Sequence, residues 1–215
     1  GCRILDLGGA DEYTSKMNAE GGGITVDGEG TVITTESCFP NKNRNPYLIK
    51  KEIETELCRT LGTSKVIWIP GDPDETGTDG HIDGIAAFIE PGRVLVEVNP
   101  DSSDPHYPVG KNNMEALKNI KDAKGRRLEL EFINEASYHP EVRDDECGSY
   151  INSYLANGAV VVPGYNANEG ERDFEAIETY QKIYPERTVV QVQINDIAVG
   201  GGGIHCITQQ QPKNK

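Results

Sequence analysis

The chain has 215 residues, of which 36% are hydrophobic and 26% charged, and it carries a formal net charge of −14. That length can bury one sizeable core or two, and the acidic balance argues against a nucleic-acid backbone or an anionic membrane as partner while suiting a cationic small molecule. No run of about 18 apolar residues predicts a membrane span, and five cysteines without paired short spacings indicate neither a disulfide framework nor a zinc knuckle, so a reducing cytoplasm is the expected compartment.

Taken in order, the chain opens on Gly1 with an apparent strand at residues 4–7. This reads as the tail of an earlier repeat, and the expectation is that the true N-terminus lies upstream. Three tight-turn dipeptides follow, Asp27-Gly28, Pro91-Gly92 and Asn157-Gly158. Each sits between two apolar runs and predicts a hairpin. The pairs are residues 23–26 with 31–34, 82–89 with 94–98, and 151–155 with 159–162.

A helix is predicted after each hairpin. The first has Asn45 as cap, Pro46 at its opening position and a stripe of Ile49, Ile53, Leu57 and Leu61, ended by Gly62. The second carries Met114, Leu117 and Ile120 and stops at Gly125, and the third carries Phe174, Ile177, Tyr180 and Ile183 and stops at Pro185. One more strand follows each helix, at 65–69, 127–132 and 188–194, with polar loops expected at 99–110 and 134–148. The unit is hairpin, helix, strand, repeated three times, with strands left over at both ends. Such a pattern predicts a closed ring with a piece missing.

The last stretch, Gly200-Gly-Gly-Gly-Ile-His-Cys-Ile-Thr208, would open a fourth unit. Read as a strand, it puts Ile204, Cys206 and Thr208 on one face and turns His205 away from Cys206. His81 and Asp83, two apart, would share a face at the start of the second hairpin. A thiol in one loop with an imidazole and a carboxylate in another suits nucleophilic cysteine chemistry. Glu20 precedes three glycines that permit close approach of a ligand. Ser149 and Asn152 open the third unit at the equivalent place, and equivalent positions in a ring converge on its axis.

Other readings compete at the same residues. Residues 72–83 match much of a calcium loop, but the final Asp83 is short for a bidentate ligand and the flanks read as strands. Asp79, His81, Asp83 and Cys206 are suitable zinc ligands, though no spacing demands a metal. The glycine runs lack a P-loop lysine and a following helix, so they make poor phosphate cradles. His106 and His139 read as surface loop residues.

Five segments stand in one order: Glu-Gly-Gly at 20–22, Asp-Gly-x-Gly-Thr at 27–31, Asn-x-x-Arg-Asn-Pro at 41–46, Gly-His-Ile-Asp at 80–83, and Gly-Gly-Gly-x-His-Cys-Ile-Thr-x-Gln-Gln-Pro at 201–212. From about residue 20 to 212 the chain resembles the agmatine deiminase family, related to the bacterial-type peptidylarginine deiminases. The resemblance implies the pentein fold, a five-unit α/β propeller of ββαβ-type repeats, of which residues 1–215 would be a single catalytic domain with about three complete units and the N-terminal part missing. It implies hydrolysis of a guanidine to a urea with loss of ammonia, with no cofactor and no metal.

Residue by residue, the resemblance makes Cys206 the nucleophile, His81 the general acid/base and Asp83 a guanidinium-binding carboxylate. Glu20, Asp79 and Gly203 fall at the substrate site. The family's upstream Trp-x-Arg-Asp segment is absent, and Gly77 stands where many members carry an acid. With no arginine evident near these groups, agmatine is favoured over arginine as the cationic partner. Arginine or peptidyl-arginine deimination and amidinotransfer are the alternatives on the same fold, a non-catalytic ring-fold binding protein is the alternative outside it, and a homo-oligomer is left open.

Overall fold

The three turn dipeptides do close three hairpins. The computed structural model describes Gly9 and residues 11–136, 148–165 and 170–211, so the strand expected at 4–7, His139 and most of the loop expected at 134–148 lie outside the described residues.

The first unit comprises β1 (Thr25–Val26), β2 (Thr31–Thr35), α1 (Lys50–Leu61) and β3 (Lys65–Ile69). The second comprises β4 (Ala86–Glu90), β5 (Arg93–Val98), α2 (Tyr107–Leu117) and β6 (Glu129–Asn134), and the third β7 (Tyr154–Ala156), β8 (Ala159–Gly164), α3 (Gly170–Ile183) and β9 (Thr188–Gln193). In every sheet the middle strand pairs antiparallel with the first and parallel with the last. A hairpin makes the first pairing and a helical crossover the second, as strand polarity requires. A short helix, α4 (Asn195–Ala198), leads into the final segment.

The cores lie between sheets and helices. Val94 and Val96 of β5 pack with Ile67 and Ile69 of β3 and Leu117 of α2, whereas Leu95 packs with Val160 and Val162 of β8 and Tyr180 of α3. β5 is therefore apolar on both faces, as expected for a strand covered on both sides. A third cluster joins Ile53 and Leu57 of α1 to Phe39, Cys38 and Met17. Each fully buried aliphatic side chain in these clusters contributes about 1.5–3 kcal/mol.

Helix boundaries differ from the sequence reading. Asn45 does not cap α1; its amide is held by Asn18 and the Phe39 carbonyl, and the helix opens after Ile49, whose N–H is taken by Glu52 at 3.0 Å. Ile49 is 67% exposed, so the buried stripe shortens to Ile53 and Leu57. Gly62 ends α1 as predicted, in the left-handed conformation at φ 66°.

α2 starts inside the expected loop, with Pro108 in its first turn where no N–H is needed. It ends at Leu117, well before Gly125. The buried face of α3 is Asp173, Ala176, Tyr180 and Ile183, and Phe174 is exposed.

Four predicted strand openings are not strands. Gly21–Gly23, Ile82–Gly84 and His205–Ile207 are single 3-10 turns, and in the third unit residues 150–152 turn and bend before β7. A two-residue alternation cannot distinguish a strand from one tight turn, and here the backbone N–H groups are satisfied within the turns and, at His81, His205 and Cys206, by side chains rather than by a sheet. No helix among the described residues is long and apolar enough to cross a membrane.

Candidate active site

The three 3-10 turns and the turn at Asn152 meet at one place, so each predicted group arrives from a different part of the chain. Asp83 lies in the Ile82–Gly84 turn and is 7% exposed. Its Oδ1 is 3.9 Å from His81 Nδ1, and its Oδ2 is 2.8 Å from His205 Nδ1 and 3.5 Å from Cys206 Sγ. The Gly21–Gly23 turn passes close behind: a Cβ on Gly22 would lie 2.5 Å from His81 Nδ1 and 2.7 Å from Asp83 Oδ2. Only a glycine lets that backbone reach the pair.

The expectation that His205 faces away from Cys206 is overturned. In a 3-10 turn consecutive side chains are about 120° apart instead of on opposite faces, so His205 and Cys206 can both reach Asp83, and both do. What places them is Asn152. Its Oδ1 accepts the N–H of His205 at 2.9 Å and of Cys206 at 3.3 Å, while its Nδ2 is 3.2 Å from Cys206 Sγ and 3.3 Å from the Asp83 carbonyl.

Gly203 fits here by closeness, since a Cβ would lie 2.7 Å from Asn152 Cγ. Asn152 is 2% exposed, and the segment bearing it is anchored by Tyr150 N–H donating to buried Glu97 at 2.8 Å. Its place at the head of the third unit was visible in the sequence; its grip on the thiol was not.

The residue Cys206 is exposed, but its thiol lies against Asn152 and Asp83. Burial of the sulfur and the Asp83 carboxylate push the thiol above its ordinary range, outweighing the Gly203 N–H and the Asn152 amide that favour the thiolate.

Glu20 and Asp79 stand to one side, and an arginine joins them, contrary to the sequence reading. Arg44 Nε lies 2.8 Å from Glu20 Oε2, and Nη1 lies 3.1 Å from Asp79 Oδ2. Its Nη1 also donates to the Cys38 carbonyl and its Nη2 to the Thr78 carbonyl, both at 3.1 Å. The arginine lies within the 41–46 motif, but its partners are 24 and 35 residues away, a distance that no periodicity reports. Burial works against the Arg44 charge, but Glu20 and the neighbouring acids outweigh it and hold the guanidinium above its already high range.

Glu20 Oε2 also faces His81 Nε2 at 3.4 Å. An open cleft of about 380 Å3 is lined by Asn18, Ala19, Glu20, Asn43, Arg44 and Asp79. It flanks the thiol rather than covering it.

The loop that would have bound calcium is organised by Glu75. Its carboxylate accepts the N–H groups of Thr78 and Gly80 at 3.0 Å, with Gly77 and the Thr78 hydroxyl as further donors. Burial raises its pKa, but these donors prevail and hold it below the usual carboxylate range. Of the residues that could have ligated zinc, Asp79 is engaged by Arg44 and Asp83 by His205.

Two other triads bring ligand atoms within 4.8 Å among the described residues, Glu20 with Cys38 and His81, and Asp104 with His106 and Glu135. The first is a poor metal site. Arg44 already holds Glu20, and burial pushes the Cys38 thiol up to about 12.

Three ββαβ units, with Glu20 ahead of the first, His81 and Asp83 heading the second, Asn152 heading the third and Cys206 following it, define an α/β propeller of the pentein class. The chain belongs to the Porphyromonas-type peptidyl-arginine deiminase family, whose sequence profile matches residues 2–212. A relative from Streptomyces avermitilis is 45% identical, over 98% of this chain and 62% of its own length. The agmatine deiminase of Ectopseudomonas mendocina is 39% identical, over 98% of this chain and 61% of its own. The solved agmatine deiminase of Enterococcus faecalis superposes with a TM-score of 0.91 at 33% identity, over 99% of this chain and 62% of its own. The chain thus spans less than two thirds of the length of these relatives.

Proposed function

We propose that this chain carries the reactive cluster of a cysteine-dependent guanidine hydrolase that converts agmatine and water to N-carbamoylputrescine and ammonia. The observation that carries the reading is the approach of Cys206 Sγ to the buried Asp83 carboxylate at 3.5 Å, with His81 on the other Asp83 oxygen. A carboxylate beside a nucleophilic thiol is unfavourable for a neutral substrate, because it opposes the thiolate. It is favourable for a cationic one, which offsets that charge as it binds. The agmatine deiminases among the relatives support the substrate class.

In this reading Asp83 takes N–H groups of the guanidinium and fixes its plane, with Glu20 and the Asp79 side of the cleft along the approach. As the cation arrives the Cys206 proton passes to His81, and Sγ attacks the central carbon. The tetrahedral adduct collapses as His81 gives a proton to the departing nitrogen, so ammonia leaves and an amidino-thioether remains. His81 then takes a proton from water, whose oxygen attacks the same carbon. The C–S bond breaks, and the ureido product and the thiol are restored. The Gly203 N–H and the Asn152 amide face the sulfur and favour its anionic form. His205, bonded to Asp83, orients that carboxylate.

The test is to supply agmatine, free arginine and a peptidyl-arginine to the full-length protein and to measure ureido product and ammonia. Expected are a higher kcat/KM for agmatine than for arginine and full activity after EDTA. An arginine preference would move the reading to arginine deimination, and transfer of the amidino group to an added amine would move it to amidinotransfer. Absence of ureido product from all three would refute it.

A further inference from the structure

Arg44 sits in an acidic cleft where a cationic substrate is expected, so its role has to be decided. One possibility is a receptor for a substrate carboxylate, which would turn the site toward arginine. Donor use speaks against this. A guanidinium has five N–H groups, and four contacts already engage them: Nε to Glu20, Nη1 to the Cys38 carbonyl and to Asp79, and Nη2 to the Thr78 carbonyl. The side chain is 10% exposed. A group so engaged is fixed in place and has little to offer an incoming anion.

The partners of Arg44 show what it fixes. Glu20 immediately precedes the Gly21–Gly23 turn, which runs behind His81 and Asp83. Thr78 and Asp79 lie on the loop that delivers His81, whose own N–H is held by Thr78 Oγ1 at 3.2 Å. Asp79 is itself in the left-handed region at φ 60°, a conformation that costs a non-glycine residue free energy unless its surroundings hold it. Arg44 and Asn43 are the groups on the Asp79 carboxylate. One planar fork therefore ties together the two backbone segments between which His81 stands, and it sets the Glu20 carboxylate 3.4 Å from His81 Nε2.

We infer that Arg44 is a positioning residue that clamps Glu20 to the Thr78–Asp79 strap and so fixes His81 and the amidine-binding side of the site, and that it is not a receptor for a substrate carboxylate. This rests on the guanidine-hydrolase reading for its meaning in turnover, but it can be tested without turnover. A lysine keeps the charge but loses the fork, so it cannot hold both carboxylates and both carbonyls in one plane.

The experiment compares wild-type protein with Arg44→Gln, Arg44→Lys and Asp79→Asn. Cys206 alkylation is followed by peptide mapping with two reagents, a haloacetamidine, which needs the amidine site, and iodoacetamide, which does not. Arg44→Gln is expected to slow the haloacetamidine on the order of tenfold or more through misplaced recognition groups, while iodoacetamide changes little. Arg44→Lys is expected to recover part of the loss, and Asp79→Asn to reproduce part of it. In turnover kcat/KM falls, and the ratio of agmatine to arginine turnover stays as in the wild type.

Equal slowing of both reagents, or no slowing of either, overturns the clamp. A selective loss of arginine turnover shows that Arg44 receives a carboxylate and overturns the assignment from the other side. Should Arg44→Gln not fold, the same reagent ratio in Arg44→Lys and Asp79→Asn decides, because each leaves part of the clamp in place. A wild type that hydrolyses no guanidine counts against the reading of function alone, and the reagent ratio still tests Arg44.

Discussion

Two 3-10 turns meet at the reactive cluster and are built in opposite ways. Ile82–Gly84 is rooted in the core, with Ile82 fully buried among β3, β4 and β5 side chains and Asp83 buried beside it. His205–Ile207 has no buried residue, and Ile207 is 65% exposed. The carboxylate half is held by apolar packing, which is non-directional and strong in sum. The thiol half is held by a few directional hydrogen bonds, from its N–H groups to Asn152 and from His205 to Asp83. Damage to the first half should appear mainly as lost stability, and damage to the second mainly as lost activity.

The largest expected effect lies in the thiol half. Cys206→Ala in the full-length protein should lower ureido-product formation by at least about a thousandfold while the melting temperature holds. Normal turnover in that variant would remove Cys206 from the chemistry. Asn152→Ala comes next. It removes the side-chain acceptor of the His205 and Cys206 N–H groups, leaving His205 only the residue-152 carbonyl at 3.2 Å, and kcat/KM should fall by about a hundredfold with a modest loss of stability. If activity survived, the thiol turn would have to hold its shape unaided.

In the carboxylate half, Ile82→Ala should cost about 2–5 kcal/mol in chemical denaturation, and the protein that remains folded should keep most of its activity. An activity loss without a stability loss would reverse the comparison. The smallest effect is a matter of pH. Because Cys206 is held above the ordinary thiol range by burial and by Asp83, its alkylation by iodoacetamide should still be climbing at a pH where an ordinary thiol has levelled off. Added guanidinium should move that climb to lower pH, since a cation beside Asp83 favours the thiolate. A profile that guanidinium leaves unmoved would argue against cation binding at Asp83.

The sequence made the repeat legible because turn dipeptides, helix stops and apolar runs are local signals. Gly62 ended α1 where predicted, and all three hairpins and crossovers formed. Helix starts were harder to read. Pro108 and Gly110 look like loop residues, yet both lie inside α2. At the site, Cys206, His81, Asp83 and Glu20 were visible as residue types in glycine-rich settings.

What escaped the sequence was long-range. The grip of Asn152 on Cys206 spans 54 residues and the bond of His205 to Asp83 spans 122. The orientation of His205 was misjudged for a different reason: a strand and a single 3-10 turn share the same short pattern of apolar residues, and only the surroundings choose between them.

The seam between the second and third units has a consequence for heat inactivation. Asn152 belongs to the third unit and its Nδ2 reaches the Asp83 carbonyl in the second, while Leu95 and Ile133 of the second unit share a core with Tyr150 and Ile151. The thiol is thus aligned only while the two units stay docked. A partial opening along this seam would leave every sheet and helix intact, so circular dichroism would register nothing, and yet the Cys206 thiol would lose its alignment with Asp83. Loss of Cys206 alignment is therefore expected at a lower temperature than loss of the sheets and helices, with the docking of β5 against the third unit as the weaker link.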